Sequence, residues 1–73
     1  MTEKVYKQIG LNIKKYREQK RLTQENLADL INKSVNHIGK IEVAFSYPSI
    51  SLLNEIAKAL DIPLYYLFMF DNN

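Results

Sequence analysis

The sequence has no cysteine and no tryptophan, and only two glycines and two prolines among its 73 residues. Without cysteine there can be no disulfide, no thiolate nucleophile and no sulfur-ligated zinc, and the composition fits a reducing compartment. No apolar run approaches the about 18 consecutive residues of a membrane span. The opening Met1-Thr2-Glu3-Lys4 lacks the apolar core of a secretory signal. The expected address is therefore the cytoplasm, with no membrane partner. Length is limiting as well. A chain this small buries only roughly 60% of its unfolded surface, too little to enclose a large substrate or prosthetic group. Size argues against an elaborate enzyme, and a single domain over residues 1–73 is expected.

What the chain does carry is charge, unevenly placed. Residues 1–40 hold nine Lys and Arg against four Asp and Glu, a balance of +5, whereas residues 41–73 hold one against four, a balance of −3. That polarity suits a module that turns one end toward a polyanion.

Apolar residues recur at helical spacing, which together with the few glycines and prolines predicts an all-α bundle of five helices. Val5, Ile9, Ile13 and Tyr16 form the buried stripe of a first helix ending near Lys20. Thr23 is positioned to cap a short second helix buried through Leu27, Ala28, Leu30 and Ile31. Asn26 stands where a capping-box Glu belongs, so this cap is expected to be incomplete. Asn32 tolerates the left-handed conformation, and Ser34 can cap a third helix over about Val35 to Val43. Pro48 keeps Ala44 to Tyr47 in a loop. Ser49 then caps a fourth helix whose apolar positions are Ile50, Leu53, Ile56, Ala57 and Leu60. Pro63 opens a fifth, Leu64 to Phe70, before the polar tail Asp71-Asn72-Asn73.

Between Gln24 and Glu42 the predicted order is helix, short turn, helix. Ala28 stands where the two helices approach closely, Asn32 in the turn, and Ile38 and Ile41 on the buried side. A wider string surrounds this unit: Ile9-Gly10, Ile13, Arg17, Leu22-Thr23-Gln24-Glu25, Leu27-Ala28, Ser34, Ile38, Glu42, Pro48-Ser49, Leu53, Ile56-Ala57, Ala59-Leu60 and Leu67-Phe68. It resembles, over residues 9–68, the phage-repressor and Cro-like family of helix-turn-helix regulators, also called the xenobiotic-response-element family. The resemblance implies a lambda-repressor-like bundle, sequence-specific binding to double-stranded DNA and regulation of transcription, with no cofactor and no metal. Three positions depart from the family pattern: Asn32 and Ala44 stand where glycine is usual, and Lys33 where an apolar residue is usual.

A helix with small or polar outward residues fits the roughly 12 Å major groove. The third helix offers Val35, Asn36, Gly39 and Lys40, with His37 flanking. By resemblance its first turn reads bases. Asn36 suits adenine, Val35 a thymine methyl, and Lys40 guanine acceptors or a phosphate. Gln24 matches a family position that grips the DNA backbone, and Ser34, His37 and Gly39 lie on the flank of the contact. Set against these roles, Lys40 and Asn36 also read as ordinary solvated surface residues.

Catalysis has little to stand on. His37 is the sole histidine, with Ser34 one turn before it, but no carboxylate is placed by sequence to orient the imidazole, and Glu25 with Asp29 makes no metal cage. No catalytic residue is assigned. The family positions of Arg17 and Glu42 commonly pair, which implies a partly buried ion pair holding the third helix. The apolar run from Leu64 to Phe70 exceeds what one small core can hide. Leu64, Leu67 and Phe68 are expected inside, and Tyr65, Tyr66, Met69 and Phe70 against the partner in a homodimer. Such a protein acts by occupancy on an inverted-repeat operator, blocking a promoter or touching RNA polymerase from beside it. The alternative is a protein-interaction module on the same fold.

Overall fold

The computed structural model describes residues 1–70, and the polar tail at 71–73 lies outside the described residues. Four α-helices run in order, α1 (Thr2–Gln19), α2 (Gln24–Leu30), α3 (Val35–Glu42) and α4 (Ile50–Ala59), and a short 3-10 helix, Leu64–Phe68, closes the chain. Among the described residues there is no strand, and no helix is long and apolar enough to cross a membrane.

The helices begin where the hydroxyl caps stand. The side chains of Thr23, Ser34 and Ser49 accept from the backbone N–H of Asn26, His37 and Leu52, satisfying donors that each first turn would otherwise leave free. The cap of α2 is complete, contrary to the sequence expectation: Asn26 Oδ1 accepts from Thr23 N at 3.0 Å while Thr23 Oγ1 accepts from Asn26 N at 2.9 Å. The amide oxygen reaches back as a Glu carboxylate would, so the shorter side chain still closes the box.

Each α-helix also ends in the same way. Arg21, Asn32, Ala44 and Asp61 take φ of 57 to 63°, and none of them is glycine. The residue after each donates back to the carbonyl five positions earlier, Leu22 to Arg17, Lys33 to Ala28, Phe45 to Lys40 and Ile62 to Ala57, at 2.8 to 3.0 Å. These are four Schellman ends built without glycine, so the backbone turn is enforced by the packing of the residues beyond it.

Ile9, Ile13, Leu27, Ala28, Ile31, Ile38, Ile41, Leu53, Ile56, Ala57, Leu60 and Leu67 fill the core. Three residues of the α-helices expected in the core are instead exposed. Val5 lies near the open end of α1. Leu30 falls off the arc defined by Leu27, Ala28 and Ile31 on a helix of 3.6 residues per turn. Ile50 is the first residue of α4, and Leu52 is buried in its stead.

Candidate nucleic-acid interface

Helix α3 is eight residues long, about 12 Å at 1.5 Å per residue, and like any α-helix its diameter of roughly 10–12 Å with side chains fits the roughly 12 Å width of a major groove. Ile38, Ile41 and Glu42 face inward and are buried. Val35, at 45% exposure, and the exposed Asn36 and Lys40 face outward, while His37 and Gly39 are half-buried. The Ser34 hydroxyl is engaged as the cap, accepting from His37 N at 3.1 Å, so Ser34 fixes the start of the helix. Beyond its far end, the Lys40 ammonium stands 5.8 Å from the centroid of the Phe45 ring.

Two features of α1 lock α3 in place. An ideal Cβ at Gly10 would lie 2.5 Å from the Glu42 carbonyl oxygen and 2.7 Å from that of Ile41, so only glycine lets the two backbones meet there. Two turns further along α1, Arg17 Nε donates to Glu42 Oε2 at 2.7 Å and Arg17 Nη2 to Oε1 at 3.2 Å. Both side chains are almost fully buried, at 9% and 2% exposure. The remaining Arg17 nitrogen, Nη1, donates to the Leu22 carbonyl at 2.7 Å and ties the α1–α2 connection into the same network.

Gln24, the first residue of α2, completes it. Its Nε2 donates to Glu42 Oε1 at 2.9 Å, and its amide lies over Gly39, whose ideal Cβ would sit 3.6 Å from Gln24 Oε1. One buried carboxylate therefore gathers α1, α2 and α3. The link from Gln24 to Glu42 has no signal in the sequence, because the residues are 18 positions apart and neither belongs to a local capping pattern.

The C-terminal segment differs from the expected fifth α-helix. It is a 3-10 helix over Leu64–Phe68, with three residues per turn, so Leu64 and Leu67 share one side, and the chain leaves it through the extended Met69 before Phe70. Leu67 is buried, and Leu64 and Phe70 pack against the core. The expected inward Phe68 is 37% exposed, because the three-residue period puts it in line with the exposed Tyr65, and the expected outward Phe70 packs against the core once the extended Met69 has turned the chain. Tyr65 at 64% exposure and Met69 point out. Tyr66 is half-buried between Tyr16 and Tyr65, with ring centroids 5.7 and 5.2 Å away. Asn12, a residue that the sequence does not single out, holds this segment: its buried Nδ2 donates to the carbonyls of Leu67 and Met69, both at 3.0 Å. Its signal is faint, a polar residue beside Ile9 and Ile13 on the buried side of α1.

Elsewhere, Glu25 and Asp29 are exposed. Among the described residues no three of His, Cys, Asp and Glu gather to hold a metal ion.

Comparison with known proteins places this geometry. The helix-turn-helix family profile matches residues 13–67. The restriction-modification controller protein C.AhdI from Aeromonas hydrophila superposes with a TM-score of 0.83 at 30% identity, over 86% of this chain and 96% of that one. A helix-turn-helix transcriptional regulator from Vibrio cholerae gives 0.86 at 28% identity, over 93% of this chain and 38% of that one. Multiprotein-bridging factor 1 from Debaryomyces hansenii is 35% identical over 63 residues, and the chain spans 42% of its length.

Proposed function

Because the chain belongs to the helix-turn-helix family of DNA-binding transcription regulators, we propose that it is a sequence-specific regulator that binds an inverted-repeat operator as a homodimer and acts by occupying a promoter. The observation that carries this reading is the two-sidedness of α3. Ile38, Ile41 and Glu42 anchor it, Asn36 and Lys40 are exposed on the opposite side, and Val35 is exposed at its first position. A rigid helix with free polar ends is what base reading requires, since an amide such as that of Asn36 pairs two hydrogen bonds with adenine and Lys40 reaches guanine or phosphate. Gln24, Ser34, His37 and Gly39 border that side and contact the DNA backbone or flank the reading residues.

Dimerisation places two such helices in successive major grooves about 34 Å apart. The surface for it is the outward side of the 3-10 helix, where Tyr65, Phe68 and Met69 are exposed together. In this reading the chain works as one DNA-binding domain in the cytoplasm, without catalytic chemistry, and RNA polymerase is its second partner when the operator lies beside a promoter.

The test is affinity for a duplex selected from a randomised library against a scrambled copy. A regulator prefers the selected duplex by roughly a thousandfold or more. A second reading, a protein-interaction module, draws on the likeness to a protein named for bridging others and on Phe45, which is 78% exposed just beyond α3. That reading is the one left standing if the two duplexes bind alike.

A further inference from the structure

We propose that Glu42 is a positioning residue for DNA recognition: its buried carboxylate fixes the orientation of the Gln24 amide. The inference rests on the reading that Gln24 contacts DNA. A carboxylate only accepts hydrogen bonds, whereas an amide has a donating and an accepting end of almost equal shape. Beside Glu42 Oε1, the two ends of the Gln24 amide are therefore not equivalent. Nitrogen toward Glu42 makes the 2.9 Å hydrogen bond, and oxygen toward Glu42 sets two acceptors against each other.

Glu42 is held firmly enough to impose that choice. It is almost fully buried, Arg17 grips both its oxygens, and its backbone carbonyl lies against Gly10. The amide lies over Gly39, in the middle of α3, at a distance where even a Cβ would make only ordinary contact with it. The Gln24 nitrogen carries two hydrogens. One is taken by Glu42, and the second remains for an acceptor outside the protein, such as a phosphate oxygen. Gln24 is thus presented to DNA in one orientation before binding, and the orienting acceptor belongs to the same helix that reads the bases.

The experiment is a double-mutant cycle on DNA affinity, using the duplex that the parent selects from a random library and correcting each protein for its folded fraction. In the parent, Gln24→Ala is expected to weaken binding about fivefold, the effect of one lost hydrogen bond. In the Glu42→Gln background, where residue 42 can donate as well as accept, the same substitution is expected to cost at most about half as much in fold-change. If Glu42→Gln does not fold, Glu42→Asp replaces it, retaining the charge beside Arg17 with a shorter reach toward Gln24. A second readout is the Gln24 side-chain amide in NMR spectra of the free protein. The hydrogen bonded to Glu42 is expected to be shifted downfield and protected from solvent exchange in the parent, and to lose both the shift and the protection in the residue-42 variant. Equal losses from Gln24→Ala in both backgrounds overturn the positioning role while leaving Gln24 as a DNA contact. No loss in the parent overturns that contact, and the inference with it.

Discussion

The Arg17 guanidinium on α1 and the Glu42 carboxylate at the end of α3 meet through two hydrogen bonds of 2.7 and 3.2 Å, with both side chains buried. Helix α3 is short and contributes few apolar residues of its own, so its position depends on this junction and on the close backbone approach at Gly10. A buried pair adds little net stability when intact, but removing one member strands the other charge in a low-dielectric interior.

Arg17→Ala is therefore expected to lower the unfolding free energy by about 3–5 kcal/mol, measured by urea denaturation. Loss of DNA binding is then a consequence of loss of fold. A variant that unfolds like the parent yet fails to bind DNA would instead make Arg17 a direct phosphate contact.

Gly10→Ala separates two opposed effects. Alanine is the better helix former by about 1 kcal/mol. Its Cβ, however, meets two backbone carbonyls that cannot swing aside, and overpacking of this kind costs typically about 1–3 kcal/mol. Sterics win here, so a net destabilisation is expected in the same denaturation experiment. A more stable variant would show that α1 and α3 separate freely.

Ala44→Gly is expected to act in the other direction. Ala44 holds φ 63°, where a Cβ costs roughly 1–2 kcal/mol, and glycine gives back about 0.5–1 of that through its greater freedom in the unfolded chain. A gain of about 0.5–1 kcal/mol in unfolding free energy is the expected balance. An unchanged or lower value would mean that Phe45 and Ser46, whose N–H groups both bond the Lys40 carbonyl, set the turn regardless of residue 44.

Tyr65→Glu combined with Phe68→Glu places charge on the outward side of the 3-10 helix and leaves Leu64, Leu67 and Phe70 untouched. Sedimentation at high micromolar concentration is expected to show a dimer for the parent and a monomer for the variant. A monomeric parent that binds DNA one protomer at a time would rule out the dimer.

Much of this architecture can be read from local chemistry. Thr23, Ser34 and Ser49 mark three helix starts, and Asn32 stands at a left-handed end, because capping depends on residues within a few positions of each other, whereas the left-handed end at Ala44 is signalled only by the family position where glycine is usual. Arg21 gives no such sign, since a long side chain rarely adopts φ near 59°, and Asp61, a short residue that tolerates this conformation, stands at the fourth end; at both, the next residue, Leu22 or Ile62, packs against the core. The final helix has a different period from the one its apolar run suggests: a 3-10 turn fixed by Asn12, some 55 residues away, cannot be seen in the residues it contains. The side of α3 that faces outward is legible from the spacing of Ile38 and Ile41. The coupling of Gln24 to Glu42 is not, because it exists only once α2 and α3 are packed.

Whether α3 reads DNA is decided by the affinity of Asn36→Ala and Lys40→Ala for the selected duplex and its scrambled copy at several salt concentrations. Asn36→Ala is expected to lose about 1–3 kcal/mol on the preferred half-site and little on scrambled DNA. Lys40→Ala, as a phosphate contact, is expected to weaken both duplexes alike and to reduce the salt slope by about one per half-site. If both variants, folded and dimeric, bind the selected duplex as tightly as the parent, α3 is not the reading helix.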